Sequence, residues 1–307
     1  MRHLSETPIT ACIPYYRCRT HVRRAVDCML TQTHRNITVI VINDGDPDPP
    51  WPMLADIKDP RLVRFDLPIN RGPYFATALV AGATTAPYLL IQDADDWSAP
   101  TRASVLLNYL ERDRSDFAFS AQPQYVLTNA GSRILGVRWL ASRPKQTSEA
   151  QFTYRPGLNG VYRYRAPHHG LFRTDSLRRI GGYYGGFRIS YDTLLTNLIM
   201  MTGRVSHVAH PLYYRQMRGS SLTHADTTGF RSQYAKEIQA RLSGIYRSCF
   251  DCYRRFSKGE MDSRSFCELI ARTATRHLTN AERRIMAAET LRLKRCLDPT
   301  RRAETVP

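Results

Sequence analysis

Two aspartates one residue apart, Asp93-Ala94-Asp95, close the apolar run Tyr88 to Gln92 (YLLIQ), and Asp96 follows directly. In an extended segment, residues i and i+2 face the same side. The spacing therefore predicts that Asp93 and Asp95 present oxygens to one point while Asp96 turns elsewhere. Paired hard oxygen ligands suit Mg²⁺ or Mn²⁺. Such a cation holds a diphosphate and offsets the charge that develops on it as it leaves. A second acidic turn, Asn43-Asp44-Gly45-Asp46-Pro47, follows a second apolar run, Ile37 to Ile42 (ITVIVI). Either turn alone reads as an ordinary polar loop. Two of them at strand ends of one sheet make a candidate ligand site, because open α/β sheets bind ligands beyond the carboxyl ends of their strands.

The elements that must carry these turns are legible as an alternation of strands and helices over the first 120 residues, the signature of an α/β fold. Strands are expected at Ile9 to Ile13, Ile37 to Ile42, Arg61 to Phe65 and Tyr88 to Gln92. Helices are expected at Arg19 to Gln32, Pro73 to Thr84 and Ala99 to Arg112, with Pro100 in the first turn of the last. Tyr125 to Leu140 reads as a hairpin turning at Asn129-Ala130-Gly131, and Arg143 to Gly160 as a loop. From Gly229 onward, apolar residues recur at helical spacing: Tyr234, Ile238, Leu242 and Ile245, then Phe266, Leu269 and Ile270, then Ile285, Met286, Leu291 and Leu293. A tail of about three helices is expected, with Asp262 or Ser263 capping the second.

Composition narrows the class. Of 307 residues, 42% are hydrophobic and 23% charged, an ordinary globular balance. Apolar runs such as ITVIVI fall far short of the ~20 residues that span a bilayer. The opening MRHLSETPIT lacks the apolar core of a secretory signal. Seven Cys without framework spacing point to reduced thiols and a cytoplasmic setting. Cys249 and Cys252 have no second pair and read as one face of a helix. The net charge of +17, with 39 of the 44 basic residues Arg, implies an anionic partner: nucleotide phosphates, nucleic acid or an acidic lipid surface. A basic tail touching anionic lipid would make the chain peripheral at a membrane.

An ordered series of segments resembles the family 2 glycosyltransferases, nucleotide-diphospho-sugar transferases with the GT-A fold. Ile13-Pro14-Tyr15-Tyr16-Arg17 is similar to the family's opening strand and turn, and Met29-Leu30-Thr31-Gln32-Thr33 to the end of its first helix. Val41-Ile42-Asn43-Asp44-Gly45-Asp46, Asn70-Arg71-Gly72 and Leu90-Ile91-Gln92-Asp93-Ala94-Asp95-Asp96 follow in the family's order. His168-His169-Gly170-Leu171-Phe172-Arg173, Ile180-Gly181-Gly182-Tyr183 and Tyr191-Asp192 resemble its acceptor-side segments. The likeness runs from Ile9 to about Thr223. It implies a Rossmann-like, mostly parallel central sheet flanked by helices, with a C-terminal helical extension. It divides the chain into a nucleotide-sugar-binding half (1–120), an acceptor-side half of the same domain (121–228) and the helical tail (229–307).

The resemblance also implies roles. Asp44 would accept a hydrogen bond from the nucleotide base, most often uracil. The backbone near Pro14, Tyr15 and Arg17 would line the base and ribose pocket. Asp93, Ala94 and Asp95 would meet ribose and metal, with Asp95 the direct ligand. Arg71 and Arg215 would serve the donor diphosphate. Asp192 would be the general base of a single inverting displacement; an attacking alcohol does need a carboxylate within reach. Read without the family, Asp192 is first a helix N-cap for Thr193 to Met201, a reading compatible with the other. The family's third metal ligand, a His, is replaced by Met217, and a thioether is a poor ligand for a hard cation. His224, His210 or a water would substitute, or Arg215 and Arg218 would hold the diphosphate directly. His168 and His169, adjacent in sequence, are expected to diverge. The expected donor is a UDP-sugar with Mn²⁺ or Mg²⁺. The acceptor stays open among glycan, peptide, natural product, lipid and nucleic acid, and a homodimer is compatible with the sequence. The competing class is a nucleic-acid-binding protein, or a transferase acting on modified DNA bases, motivated by the charge but unsupported by any recognition motif.

Overall fold

The computed structural model describes residues 4–128, 131–138, 151–152, 167–217, 228–229 and 231–298. Strand β1 (Ile9–Tyr15) lies between β2 (Ile37–Asp44) and β4 (Tyr88–Ile91), and β3 (Leu62–Leu67) continues the sheet beyond β2. All three pairings are parallel. The central strands are buried along nearly their whole length. Their sequences are accordingly unbroken aliphatic runs, without the alternation of a half-exposed strand. Helices α1 (Arg19–Leu30) and α3 (Arg102–Arg112) cover one face through Val22, Val26, Leu106 and Leu110; α2 (Pro73–Ala83) covers the other through Phe75, Leu79 and Val80.

The expected helix at Ala99 begins three residues later, at Arg102. The Ala99 backbone is used elsewhere: its N–H donates to the Leu212 carbonyl and its carbonyl accepts from Gln32. Pro100 therefore precedes the helix. Gln32 supplies a cap from a distance, its Oε1 accepting the Ala103 N–H at 2.8 Å. One buried amide thus ties the end of α1 to the start of α3.

Beyond β4 the sheet becomes mixed. Strand β9 (Gly170–Arg173) runs antiparallel to β4 and to β6 (Phe117–Thr128). Next, β10 (Val205–Pro211) pairs parallel with β6, and β8 (Gln151–Phe152) antiparallel with β10. The hairpin is present as β6 with β7 (Gly131–Arg138), its first strand starting earlier than expected, at Phe117. Gln151–Phe152 is a strand within a stretch read as loop, whose remaining residues lie outside the described ones. The far end of β6 also pairs with β11 (Tyr213–Gln216), which pairs in turn with β5 (Trp97–Ser98) just after the acidic turn. Between β9 and β10 lie α4 (Thr174–Arg179) and α5 (Tyr191–Thr202).

The tail forms α6 (Gln233–Ser257), α7 (Ser263–Ala274) and α8 (Asn280–Leu297). Each opens on a side-chain cap: Ser232 on the Ala235 N–H, Asp262 on the Ser265 N–H, and a reciprocal capping box between Thr279 and Glu282. These helices have no separate core. Leu242, Ile245, Tyr246, Phe266, Ile270 and Leu293 belong to the same apolar cluster as Leu79, Leu194 and Leu198. Helix α8 also lies over β3, where the Arg292 guanidinium sits 4.1 Å above the Phe65 ring. No described helix is long and apolar enough to cross a membrane.

One buried histidine gives this core an acid limit. His207 on β10 stacks on Phe119 at 4.9 Å, and burial lowers its pKa from 6.5 to about 4. A depressed histidine stabilises the fold fully above pH 6.5 and loses that contribution as pH falls toward 4. At 1.36 kcal/mol per unit, the limit is about 3 kcal/mol. In His207→Gln, the fall of Tm between pH 7 and pH 4 should be shallower than in the parent, measured by thermal denaturation across that range.

Candidate active site

The residues after β4 form a turn, not an extended segment: the Asp96 N–H donates to the Asp93 carbonyl. Asp96 still turns away from Asp93 and Asp95, inward, although the turn keeps the three carboxylates close. Carboxylate oxygens of Asp93, Asp95 and Asp96 lie within 4.8 Å of one another. Asp96 is buried, and both its oxygens are taken: Tyr213 Oη donates to Oδ2 and the Gln216 N–H to Oδ1, each at 2.7 Å. Burial, then the neighbouring Asp95 and Asp93, push its pKa well above the usual carboxylate range. Ala94 is buried, while Asp93 and Asp95 remain partly exposed.

Cations flank this turn. Arg102 is fully buried beside it and donates to Gln92, Ser98 and the Ile91 carbonyl, its guanidinium 4.4 Å over the Tyr213 ring. Burial lowers its pKa to about 10, so it keeps its charge. Burial would also depress Arg215, but Asp96, Tyr213, Asp93 and Asp95 outweigh it and leave Arg215 raised. Arg24 holds the turn from α1: its Nη2 donates to the Asp95 carbonyl at 3.1 Å and its guanidinium lies 4.0 Å over Trp97.

Beside the turn, His168 and His169 do not diverge. Their ring centroids are 3.9 Å apart, because Gly170 opens β9 directly behind them and they lie outside any strand. His169 Nε2 meets Asp93 Oδ2 at 2.8 Å, and its ring stacks on Tyr213. His168 Nδ1 meets Tyr183 Oη at 2.5 Å, and its Nε2 is 3.9 Å from Asp192 Oδ2. Burial, reinforced by His169, lowers the His168 pKa to about 3. The approach to Asp192 is therefore proximity of a neutral ring, not an ion pair. Asp192 sits in the first turn of α5 and is not its cap; Ser190 takes that position. Tyr74 Oη donates to Asp192 Oδ1 at 2.7 Å.

The other acidic turn is a structural clamp. Asp44 is buried, and its oxygens accept the N–H groups of Arg71 and Gly72 at 2.8 and 2.7 Å. Burial raises its pKa to about 6 despite those two bonds. The bonds fix the bend that enters α2, where Gly72 has φ of 93°, a conformation glycine adopts without strain. Asp46 performs a similar task for the β1–α1 loop, accepting the Arg17 N–H at 2.6 Å. The Tyr15 side chain is fully buried and donates to the Asp48 carbonyl. Pro14, Tyr15 and Arg17 thus stand at the end of β1 beside both acidic turns.

The structure brings Asp44, Arg71, Asp93, Asp95, Asp192 and Arg215 to one edge of the sheet. Met217 follows β11, His210 is exposed on β10, and His224 and Arg218 lie outside the described residues. Sequence reasoning missed Tyr74, Tyr213 and Arg102, which hold Asp192, Asp96 and the Gln92–Ser98 segment. Tyr74 and Asp192 are 118 residues apart, and no local spacing could pair them.

Comparisons with known proteins agree on one family. The model of glycosyl transferase family 2 matches residues 10–181. The chain is 24% identical over 127 residues to UDP-Glc:alpha-D-GlcNAc-diphosphoundecaprenol beta-1,3-glucosyltransferase WfaP of Escherichia coli, covering 40% of this chain and 51% of that one. It is 23% identical over 302 residues to succinoglycan biosynthesis protein ExoO of Rhizobium meliloti, covering 91% of this chain and 81% of that protein. The chain spans about half the length of WfaP, and 22% of an uncharacterized glycosyltransferase of Rickettsia conorii. Among solved structures it is similar to S. aureus TarS residues 1–349 in complex with UDP-GlcNAc, with TM-score 0.58 and 15% identity, over 94% of this chain and 90% of that one. That likeness is one of fold.

Removing the Asp44 carboxylate should loosen the entry to α2. Asp44→Ala leaves the buried Gly72 N–H and the half-buried Arg71 N–H without an acceptor, at about 1–3 kcal/mol each. A urea titration should show a stability loss of roughly 2–6 kcal/mol. Asp48→Ala, which removes only the exposed pair with Arg19, should change stability by less than about 1 kcal/mol.

Proposed function

The chain belongs to glycosyl transferase family 2, and from that premise we propose that it moves a sugar from a UDP-linked donor to a hydroxyl of a glycan acceptor, with inversion at the anomeric carbon. The observation that carries this reading is the placement of Asp192 across from the acidic turn, with His168 and His169 between them. A donor diphosphate held at Asp93 and Asp95 would put its sugar in front of Asp192.

The donor set fits a hard divalent cation. Asp93 and Asp95 are partly exposed carboxylates with converging oxygens, and His169 orients Asp93 as outer partners orient metal ligands. Asp96, whose oxygens are both engaged, supports the turn without reaching outward. Mn²⁺ or Mg²⁺ there would offset charge on the leaving diphosphate. Arg71 and Arg215 supply permanent positive charge at the same edge. The Asn43–Asp46 turn and the backbone of Pro14, Tyr15 and Arg17 would receive the nucleoside. Asp192, held by Tyr74 in the first turn of α5, takes the acceptor proton as the new bond forms. The uridine carrier is supported by the names of WfaP and the TarS complex. A glycan acceptor is supported by the names of WfaP and ExoO.

Asp192→Asn should separate chemistry from donor binding. With a UDP-sugar, Mn²⁺ and an acceptor glycan, product formation should fall by about 10² to 10⁴, while UDP affinity by calorimetry stays within about twofold of the parent. Full transfer by Asp192→Asn with donor binding intact removes the base assignment. Asp95→Asn should do the reverse, weakening UDP binding in Mn²⁺ with little effect in chelator.

A further inference from the structure

The loop that delivers Asp192 is held from outside the α/β domain. It runs from Gly181 to Ser190 and contains four residues with positive φ: Gly181, Gly182, Gly186 and Ser190. Such a segment has little conformational preference of its own. Its buried side chains, Tyr183, Tyr184, Phe187 and Ile189, anchor it inward. Its backbone meets the junction between α7 and α8. A Cβ on Gly185 would lie 2.7 Å from the Ala274 carbonyl, and one on Gly186 3.2 Å from the His277 carbonyl. The Phe187 ring sits edge-on to His277 at 5.5 Å and stacks on Tyr191, the neighbour of Asp192.

One polar contact joins the two units. Tyr184 Oη donates to Glu282 Oε1 at 3.0 Å, while Glu282 Oε2 accepts the Thr279 N–H at 2.9 Å to close the capping box of α8. A single carboxylate therefore finishes a helix with one oxygen and holds the loop with the other. Arg71, at the donor edge, lies close enough to act electrostatically on both Tyr184 and Glu282.

We propose that the C-terminal helices are part of the acceptor side of the site, and that Glu282, acting through Tyr184, is a positioning residue for the loop that presents Asp192. The inference rests on the assignment of Asp192 above. The C-terminal unit then fixes where the attacking hydroxyl is deprotonated, and changes at the α7–α8 junction alter acceptor use before donor use.

Tyr184→Phe is the clean test. It removes one hydroxyl, keeps the edge contact with Phe75, and leaves the Thr279–Glu282 box in place. Transfer kcat should fall about 10-fold or more, the loss that a small misplacement of a reacting group brings. Donor KM and UDP affinity should stay within about twofold. Backbone amide exchange of residues 181–191 should quicken while that of α6 stays unchanged. Glu282→Gln, which keeps one acceptor oxygen, should fall between the parent and Tyr184→Phe in kcat. Equal losses of donor affinity and kcat, or unaltered loop exchange in Tyr184→Phe, would overturn the inference. If the parent chain moves no sugar, quickened loop exchange still supports the strut, and the fault lies with the reading of Asp192.

Discussion

Three carboxylates in four residues repel one another, and a buried strand end is a poor place for them. Two like unit charges 4 Å apart repel by about 4 kcal/mol at the effective dielectric of a protein surface. The turn after β4 is tolerable because each charge is answered separately. Asp96 goes inward and takes two hydrogen bonds, Asp93 takes a histidine, and Arg102 and Arg215 supply fixed positive charge close by. Much of the mixed half of the sheet serves this arrangement. Strand β11 brings Tyr213, Arg215 and Gln216 to the turn, and its short pairing with β5 locks the chain just beyond Asp96. Asp93 and Asp95 are left facing outward with their geometry already set.

From that turn a line of contacts leads to α5 and α2. It runs from Asp93 through His169 and His168 to Tyr183 and Asp192, and from Asp192 through Tyr74 into α2. At the start of α2, Asp44 holds Arg71 and Gly72. The groups expected to meet a donor and those expected to meet an acceptor are thus joined by one chain of histidine and tyrosine contacts. Helix α2 also packs on α8 and shares its core with α5 and α6, so the elements around the acceptor loop and the tail belong to one packed unit.

The parallel half of the fold was plain in the sequence because its strands are continuous aliphatic runs ending in polar turns, a pattern that needs no partner to be recognised. The three tail helices were legible for the same reason, through their 3.6-residue period. What failed was local geometry read as though strands continued. The His168–His169 pair was expected to diverge because an extended chain alternates its side chains, yet the two residues lie outside any strand, where that alternation does not hold. Asp44 was recognised as a site residue, but its engagement with the Arg71 and Gly72 backbone depends on a bend 27 residues away. Tyr74 and Tyr213 carried no local signal at all, and Glu282 carried only that of its capping box. Their roles exist only across long separations, where pairing is decided by topology.

The convergence of these loops on a single nucleotide-diphosphate cleft is tested most directly by calorimetric titration of UDP into the chain, in Mn²⁺ and again in chelator. One site per chain, markedly tighter with the metal, is the expected result. Absence of heat with UDP and with every other nucleoside diphosphate, in a folded sample, would contradict it.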